Sequence, residues 1–314
     1  MRVGIIGAGI CGLYLGWKLS EKGHQVTIFE KREKIGKEVC SGLFSERIFK
    51  FIPQSEDLIQ NEIEYCLIHL PKKRIILHFL KKFFVIDHAN LDNLVANLAQ
   101  NSGAKIILNS KVDSIPENFE KIIGCDGANS KIRELLGLKT PDFYLGIQGF
   151  LKKRDYSNLV ETWVTQNGFL WKIPRGEEIE YGILEKPNLA KKIFENFLTD
   201  KKIKIENQKA ALISQGFSIP KNENITLCGE ALGLTKPWSG GGVIWGLVAA
   251  NFLLECFPDF KKYQKKVSVF FKREIAFSKF LKKIVYFLGF SAPYFLPKKV
   301  KIDGDFFFKK KLDF

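Results

Sequence analysis

The six cysteines of this 314-residue chain form no CxxC pair and no other metal-ligand spacing. That excludes a zinc ribbon and an iron–sulfur centre, and with it an electron-transfer dehydrogenase built on such a cluster. Cys11, Cys125 and Cys228 lie in or beside apolar strand and turn segments, where reduced core thiols are expected. A reducing, cytoplasmic setting fits them. Long hydrophobic runs are also missing. The longest uncharged stretch, Pro237–Leu254, has 18 residues and opens on Ser239-Gly-Gly-Gly242. It reads as a buried helix, since a membrane span needs about 20 apolar residues. Met1-Arg2 followed by uncharged Val3–Trp17 imitates a signal peptide, but Gly7, Gly9 and Gly12 break the run and no small-residue cleavage site follows. No internal repeat, low-complexity linker or metal cluster is visible. Acidic residues are scarce towards the end of the chain. Lys and Arg number 49 against 34 Asp and Glu, a net +15. Residues 261–314 hold fifteen bases, four acids and eleven of the 28 phenylalanines. Such a tail prefers an anionic partner, and its phenylalanines favour a lipid surface over a nucleic acid.

Hydrophobic residues make up 46%, which excludes a disordered chain, and the length suggests two domains. Residues 2–6 read as a buried strand, Ile10–Lys22 as a helix and Gln25–Glu30 as a second strand, a βαβ opening. Residues 31–46 read as a loop. Segments 63–70, 74–80 and 83–86 read as three strands with a tight turn at Pro71–Lys73. Leu91–Gln100 reads as a helix, and 105–108 and 121–125 as strands. From about residue 142 the pattern changes to 144–150, 158–165, 169–174 and 179–184, a small antiparallel sheet. A helix is expected over Ala190–Leu198, a buried strand at 224–228 and a helix at 242–256. The expected domains are a discontinuous cofactor domain (1–65, 87–141 and 221–258), a β-rich substrate domain (66–86 and 142–220), and a basic C-terminal helical region (259–314). In that last region Phe260–Leu288 has apolar residues at helical spacing with lysines between them. Its first half suits packing on the domain. Ile284–Leu296, apolar with flanking lysines, suits membrane contact.

Gly7-Ala-Gly9-Ile-Cys-Gly12 is a GxGxxG turn that follows a strand, opens a helix and is answered by Glu30 at the end of the next strand. Gly7 permits the tight turn and Gly9 lets the backbone approach a pyrophosphate. Gly12 lets helix and strand pack closely, and Glu30 accepts from ribose hydroxyls. The helix N-terminus favours the pyrophosphate through its free N–H groups and dipole.

Two later segments are strands that also end in glycine and an acid: Lys121-Ile-Ile-Gly-Cys-Asp126-Gly127, and Ile225-Thr-Leu-Cys-Gly229-Glu230, the latter followed by Lys236-Pro-Trp-Ser-Gly-Gly241-Gly242-Val243. With the first turn they resemble the three fingerprints of glutathione-reductase-type flavoproteins, in the p-hydroxybenzoate-hydroxylase-like branch. The resemblance implies FAD, held by Gly7, Gly9, Gly12, Glu30, Asp126, Gly127, Gly229, Glu230, Gly241, Gly242 and Val243. Glu230 replaces the usual Asp on the ribityl chain. His88 stands where the family has a phosphate-binding Arg, and is either a weaker phosphate contact or a solvated turn histidine. Val112 takes the place that meets the adenine.

Lys34-Ile-Gly-Lys-Glu-Val-Cys40-Ser41-Gly42-Leu43 resembles the loop of geranylgeranyl reductases in which a cysteine lies near the flavin. Phe169-Leu-Trp171-Lys-Ile173-Pro174 is similar to that family's Y-x-W-x-F-P motif, with Phe for Tyr and Ile for Phe, and Gln148 lies on the preceding strand. Lys301-Ile-Asp303-Gly304-Asp305 also resembles family C-termini. The implied fold is α/β, an FAD-binding Rossmann domain with an inserted antiparallel substrate domain and a C-terminal helical segment.

The implied activity is saturation of isoprenoid C=C bonds by hydride from reduced FAD. Cys40 is then the catalytic candidate and, with Ser41 and His88, a cofactor contact. Phe169, Trp171 and Pro174 line the substrate site. Phe169 and Trp171 share one strand face, where plain core packing is the equal alternative. The implied substrate is a geranylgeranyl phospholipid, prenyl diphosphate or prenyl alcohol. Without a second GxGxxG, the electron donor is transient NAD(P)H or a ferredoxin-like protein. The expected place is cytoplasmic and peripheral on an anionic membrane. The main rival is a flavin-dependent monooxygenase or halogenase, whose W-x-W-x-I-P pattern lacks only its first Trp here. A second is a membrane-binding protein that keeps FAD as a remnant.

Overall fold

The computed structural model describes residues 1–36 and 39–308. Lys37 and Glu38 of the Cys40 segment, and Lys309–Phe314 of the basic tail, lie outside the described residues.

In chain order the elements are β1 (Arg2–Ile6), α1 (Ile10–Glu21), β2 (Gln25–Phe29), β3 (Leu43–Ser45), α2 (Ile48–Phe51), β4 (Ile59–Leu70), β5 (Lys73–Ile86), α3 (His88–Asn101), β6 (Lys105–Ile107), β7 (Lys121–Gly124), α4 (Lys131–Leu135), β8 (Asp142–Leu151), β9 (Leu159–Val164), β10 (Phe169–Pro174), β11 (Ile179–Glu185), α5 (Pro187–Asp200), β12 (Glu206–Gln215), β13 (Ile225–Leu227), α6 (Val243–Cys256), α7 (Phe260–Ser291) and β14 (Lys299–Ile302). They form two compact units.

The first unit takes residues 1–37, 89–142 and 214–275. Its sheet has the order β13-β7-β1-β2-β6, with every neighbouring pair parallel. Strands buried on both faces need continuous apolar runs, and Val3, Ile5, Ile28, Ile122 and Ile123 supply them. α1 packs against α6, with Tyr14 Oη donating to Asn251 Oδ1 at 2.8 Å. α6 is apolar nearly all round and almost wholly buried, as a core helix should be. The first half of α7 packs on this unit through Phe260, Tyr263, Val267, Phe270 and Phe271. Tyr263 Oη donates to Leu227 O at 2.9 Å.

The second unit takes residues 38–88, 143–213 and 276–314. Its sheet runs β12-β8-β11-β10-β9-β4-β5-β14, and β3 pairs with β5. Pairing is antiparallel from β8 to β9, but β9 and β4 are parallel, as are β5 and β14. The sheet is therefore mixed rather than wholly antiparallel.

Several boundaries differ from the sequence reading for one reason, strand pairing at long range. Segments 74–80 and 83–86 are one strand, β5, because the exposed Lys81-Lys82 pair is carried through on β4's partner ladder with a register shift between Ile63 and Tyr65. Residues 38–65 group with the second unit because β4 pairs with β5 and β9. The C-terminal region is not purely helical: the basic segment Lys299–Ile302 adds a strand beside Ile76–Phe79.

Candidate functional site

In a parallel sheet all carboxyl ends lie along one edge, and ligands bind outside that edge where strand order reverses. Here the reversal falls at β1, with β7 on one side and β2 on the other. The turns after β13, β7, β1 and β2 are those carrying Gly229-Glu230, Asp126-Gly127, Gly7–Gly12 and Glu30. Three fingerprints far apart in sequence thus fall in one row on the first unit.

The local geometry explains the residue types. Gly7 has φ +104°, and a Cβ there would lie 2.5 Å from Cys125 O. A Cβ on Gly12 would lie 2.0 Å from Gly7 O, so the close turn excludes any side chain. A Cβ on Gly9 would meet nothing within 4 Å, which leaves the outer side of the turn open to a ligand. Glu30 is 4% exposed. It accepts from Ala8 N at 2.8 Å on one oxygen and from Arg32 N and Nε at 3.0 Å on the other. Burial raises its pKa, but these hydrogen bonds outweigh that and hold the carboxyl below its ordinary range. Asp126 Oδ2 caps α4 by accepting from Lys131 N at 2.6 Å and Ile132 N at 3.1 Å. Its Oδ1 is buried with no hydrogen-bond partner among the described residues, and burial pushes the carboxyl up. A buried acceptor left open at this edge suits a sugar hydroxyl. Glu230 Oε1 accepts from Ser214 N at 3.3 Å.

The loop 236–242 is closed on itself by Lys236 N→Gly241 O at 3.0 Å and Gly240 N→Lys236 O at 2.8 Å. Gly242 then caps α6, whose first residue is Val243, and Gly241 is exposed beside it. Val112 is half-buried in the loop after β6, whose residues Asn109 and Ser110 bond back to Arg32 O and Glu30 O. The open turn, the buried acceptors and the free helix start together fit a dinucleotide. Cys11, Cys125 and Cys228 lie together beneath these turns with thiols pushed up, Cys11 by a hydrogen bond it donates to Cys228 and Cys228 by burial.

The second unit carries the other predicted residues. Cys40 and Ser41 are half-buried. Cys40 Sγ accepts from Gly42 N at 3.5 Å, and Cys40 O accepts from Gln148 Nε2 at 3.5 Å. Ser41 O accepts from Arg175 Nη1 at 2.8 Å. His88 is 5% exposed at the start of α3, with its ring edge-on to Phe44 at 5.7 Å. It is therefore not a solvated turn histidine. Phe169 and Trp171 share a face of β10, with ring centroids 6.0 Å apart. Trp171 belongs to the core cluster, while Phe169 is half-buried and keeps surface to offer a ligand. Pro174 is buried and its carbonyl accepts from Asn61 Nδ2 at 3.0 Å.

Sequence reasoning missed what joins these residues. Glu180, fully buried, accepts from Trp171 Nε1 at 2.8 Å and from Arg175 Nη1 at 2.7 Å. Arg175 Nη2 continues to Gln60 Oε1 at 2.8 Å. Burial pushes the Glu180 carboxyl up to about 7, even against Arg175. The only hint in the sequence was an acid at an inward position of an apolar strand. A second missed network gives Asp303-Gly304-Asp305 a structural role. Arg47 donates to Asp303 at 2.6 and 3.0 Å and to Asp305 at 2.8 Å, and Ser45 Oγ donates to Asp305 at 2.5 Å.

A family model described as an NAD(P)-binding Rossmann-like domain matches residues 5–50. The digeranylgeranylglycerophospholipid reductase of Methanococcus vannielii is 23% identical over 280 residues, covering 76% of this chain and 72% of that protein. A geranylgeranyl bacteriochlorophyll reductase-like protein from Thermoplasma acidophilum superposes with a TM-score of 0.80 at 21% identity, over 91% of this chain and 87% of that one.

The chain has the fold of the geranylgeranyl reductases.

A flavin-dependent brominase shares the fold at a TM-score of 0.76 and 14% identity, over 92% of this chain and 89% of that one. The Cys40-Ser41 loop and the Phe169–Pro174 strand lie in one unit and are tied through Arg175 and Glu180.

Proposed function

We propose that this chain is an FAD-dependent reductase that saturates C=C bonds of geranylgeranyl chains in membrane-lipid synthesis. The observation that carries the reading is the tether from Trp171 through Glu180 and Arg175 to Ser41 O, which ties the cysteine loop to the aromatic strand. The likeness to reductases over most of the chain supports it. FAD, when bound, supplies the hydride for one alkene carbon.

The chain's own residues do the rest. Gly7–Gly12 and the start of α1 take the pyrophosphate, and Glu30 and Asp126 accept from sugar hydroxyls. Glu230 holds the ribityl chain, and Gly241, Gly242 and Val243 offer N–H groups where negative charge gathers. An unactivated alkene has no carbonyl to polarise, so the second unit must position the chain and exclude water. Phe169 supplies the apolar wall, with Trp171 beside it on the same strand face and Pro174 buried at the strand's end. Cys40, held at its backbone by Gln148 and by its neighbour's tie to Arg175, would in this reading shield the reacting carbon or relay its proton. The reducing equivalents come from NAD(P)H or a ferredoxin-like donor.

Membrane contact is part of the proposal. No helix among the described residues is long and apolar enough to cross a membrane. The second half of α7 and the turn after it nevertheless expose Phe280 (60%), Phe287 (67%), Tyr294 (87%) and Phe295 (82%). Exposed Lys279, Lys283, Lys298 and Lys299 border them. Large aromatics beside bases match an anionic bilayer, which accepts the rings below its headgroups and the lysines among them.

The deciding experiment is anaerobic incubation of the photoreduced holoenzyme with geranylgeranyl lipids, followed by mass spectrometry. Products heavier by two daltons per reduced bond are expected. No mass gain with phospholipid, diphosphate or alcohol substrates would reject the reading, and halide-dependent product formation in oxygen would favour the halogenase instead.

A further inference from the structure

Lys282 lies half-buried in the second half of α7. Its Nζ donates to Asn167 O at 3.0 Å and lies 5.2 Å from the centre of the Tyr144 ring and 5.3 Å from that of Tyr286. Lys186, between β11 and α5, places its own Nζ 4.2 Å from the centre of the same Tyr144 ring. Tyr286 Oη donates to Gly168 O at 2.7 Å, immediately before Phe169. Tyr144 and Phe169 pack on the same apolar cluster as Trp171. Two ammonium groups therefore converge on one tyrosine at the beginning of the proposed hydrocarbon wall.

The nearby carboxylate offsets them only in part. Glu185 is fully buried and accepts from Thr165 Oγ1 at 2.6 Å, Asn167 N at 3.0 Å and Lys186 N at 2.7 Å. It forms no ion pair with either amine among the described residues. Its three bonds fix the turn at 165–168 that presents Asn167 O to Lys282. A pair of amines held near each other, half out of water, is costly unless an anion joins them. The surroundings are also amphipathic: cations at one end, Phe169 and its cluster along the strand.

We propose that Lys186 and Lys282, set about Tyr144, bind the phosphate of the prenyl substrate, with the hydrocarbon chain leading away along Phe169. This rests on the reductase reading for the identity of the chain, but not for the anion. Burial brings the Lys282 amine down to about 8, with Lys186 adding to the effect and Glu185 opposing it. Lys282, Lys186, Glu185, Tyr144 and Tyr286 are the titratable groups that meet there. An anion at the site stabilises the charged amine, so binding takes up a proton when measured just above pH 8.

The test is titration calorimetry of the full holoenzyme with inorganic pyrophosphate and, separately, with glycerol phosphate, at pH 8.5 in buffers of different ionisation enthalpy. Lys282→Met, Lys186→Met and the control Lys192→Met are compared. Lys186→Met guards against misfolding of the Lys282 variant, because its amine makes no hydrogen bond or ion pair among the described residues. Binding with proton uptake is expected, weakened about tenfold or more by each site variant and unchanged by the control, as for loss of a charge-assisted contact. Preference for pyrophosphate assigns a free prenyl diphosphate, and preference for glycerol phosphate assigns a phospholipid head. If neither probe binds, or the site variants bind as the parent does, the proposal is overturned even if the enzyme reduces geranylgeranyl chains. If the probes bind and the variants lose them while no chain is reduced, the anion site stands and the reductase reading falls.

Discussion

The cofactor turns of the first unit and the buried network of the second reach order by opposite routes. Glu30 is held by Ala8 and Arg32, and Asp126 by Lys131 and Ile132, five and six residues on. Arg175 instead reaches Ser41 across 134 residues and Gln60 across 115, and Gln148 reaches Cys40 across 108. The first kind of site is made mostly of backbone N–H groups and missing side chains, so its chemistry is written in short motifs. The second consists of side chains brought together by strand pairing. A motif search finds the first and passes over the second.

The contrast can be broken at its firmest point. Gly12→Val places atoms against Gly7 O, and such overpacking costs roughly 3 kcal/mol or more when backbone cannot yield. The purified variant is expected to be colourless and to stay so when FAD is added. Retention of flavin at the parent's level would mean that the turn does not hold the cofactor.

A smaller effect sharpens the other side. The Glu180 pKa lies near 7, above its ordinary value of 4.5. The folded state therefore binds the proton more tightly than the unfolded one. This stabilisation is complete below about pH 4.5 and is lost as pH rises through 7. Glu180→Gln removes the titration and keeps an acceptor for Trp171. Between these pH values the parent should lose roughly 3 kcal/mol relative to the variant in denaturant unfolding. Parallel pH profiles would show that the carboxyl does not titrate there.

The smallest expected change concerns α7, where the two units' halves of one helix differ. Phe271 is fully buried in the first unit, whereas Phe287 is 67% exposed in the second. Phe287→Ser with Phe295→Ser is expected to weaken sedimentation with anionic vesicles about tenfold or more, at little cost to thermal stability, since burying each ring is worth about 1.5–3 kcal/mol. Unchanged partitioning would remove the membrane from the proposal.

Much of the fold was legible because its signals are local. β1, β10 and the beginnings of α1 and α6 follow from apolar runs, alternation and glycine placement. β12 and β14 went unread: Glu206-Asn-Gln-Lys has the polarity of a loop, and the alternation of Lys299-Val-Lys-Ile is only four residues long, so that each becomes a strand where a sheet edge accepts its backbone. The basic region 259–314 read as a separate helical region, yet its Asp303 and Asp305 are bound by Arg47 of the second unit.

The sequence alone determined the parallel cofactor sheet and the row of turns at its edge. Glycine spacing is set largely by sterics within the turn itself, as at Gly12 against Gly7 O. It took the folded chain to make Trp171 core while Phe169 keeps a surface, to raise the Glu180 pKa, and to bring Lys186 and Lys282 to one ring. Burial and electrostatic shifts depend on which strands pair, and pairing across a hundred residues leaves no short-range mark.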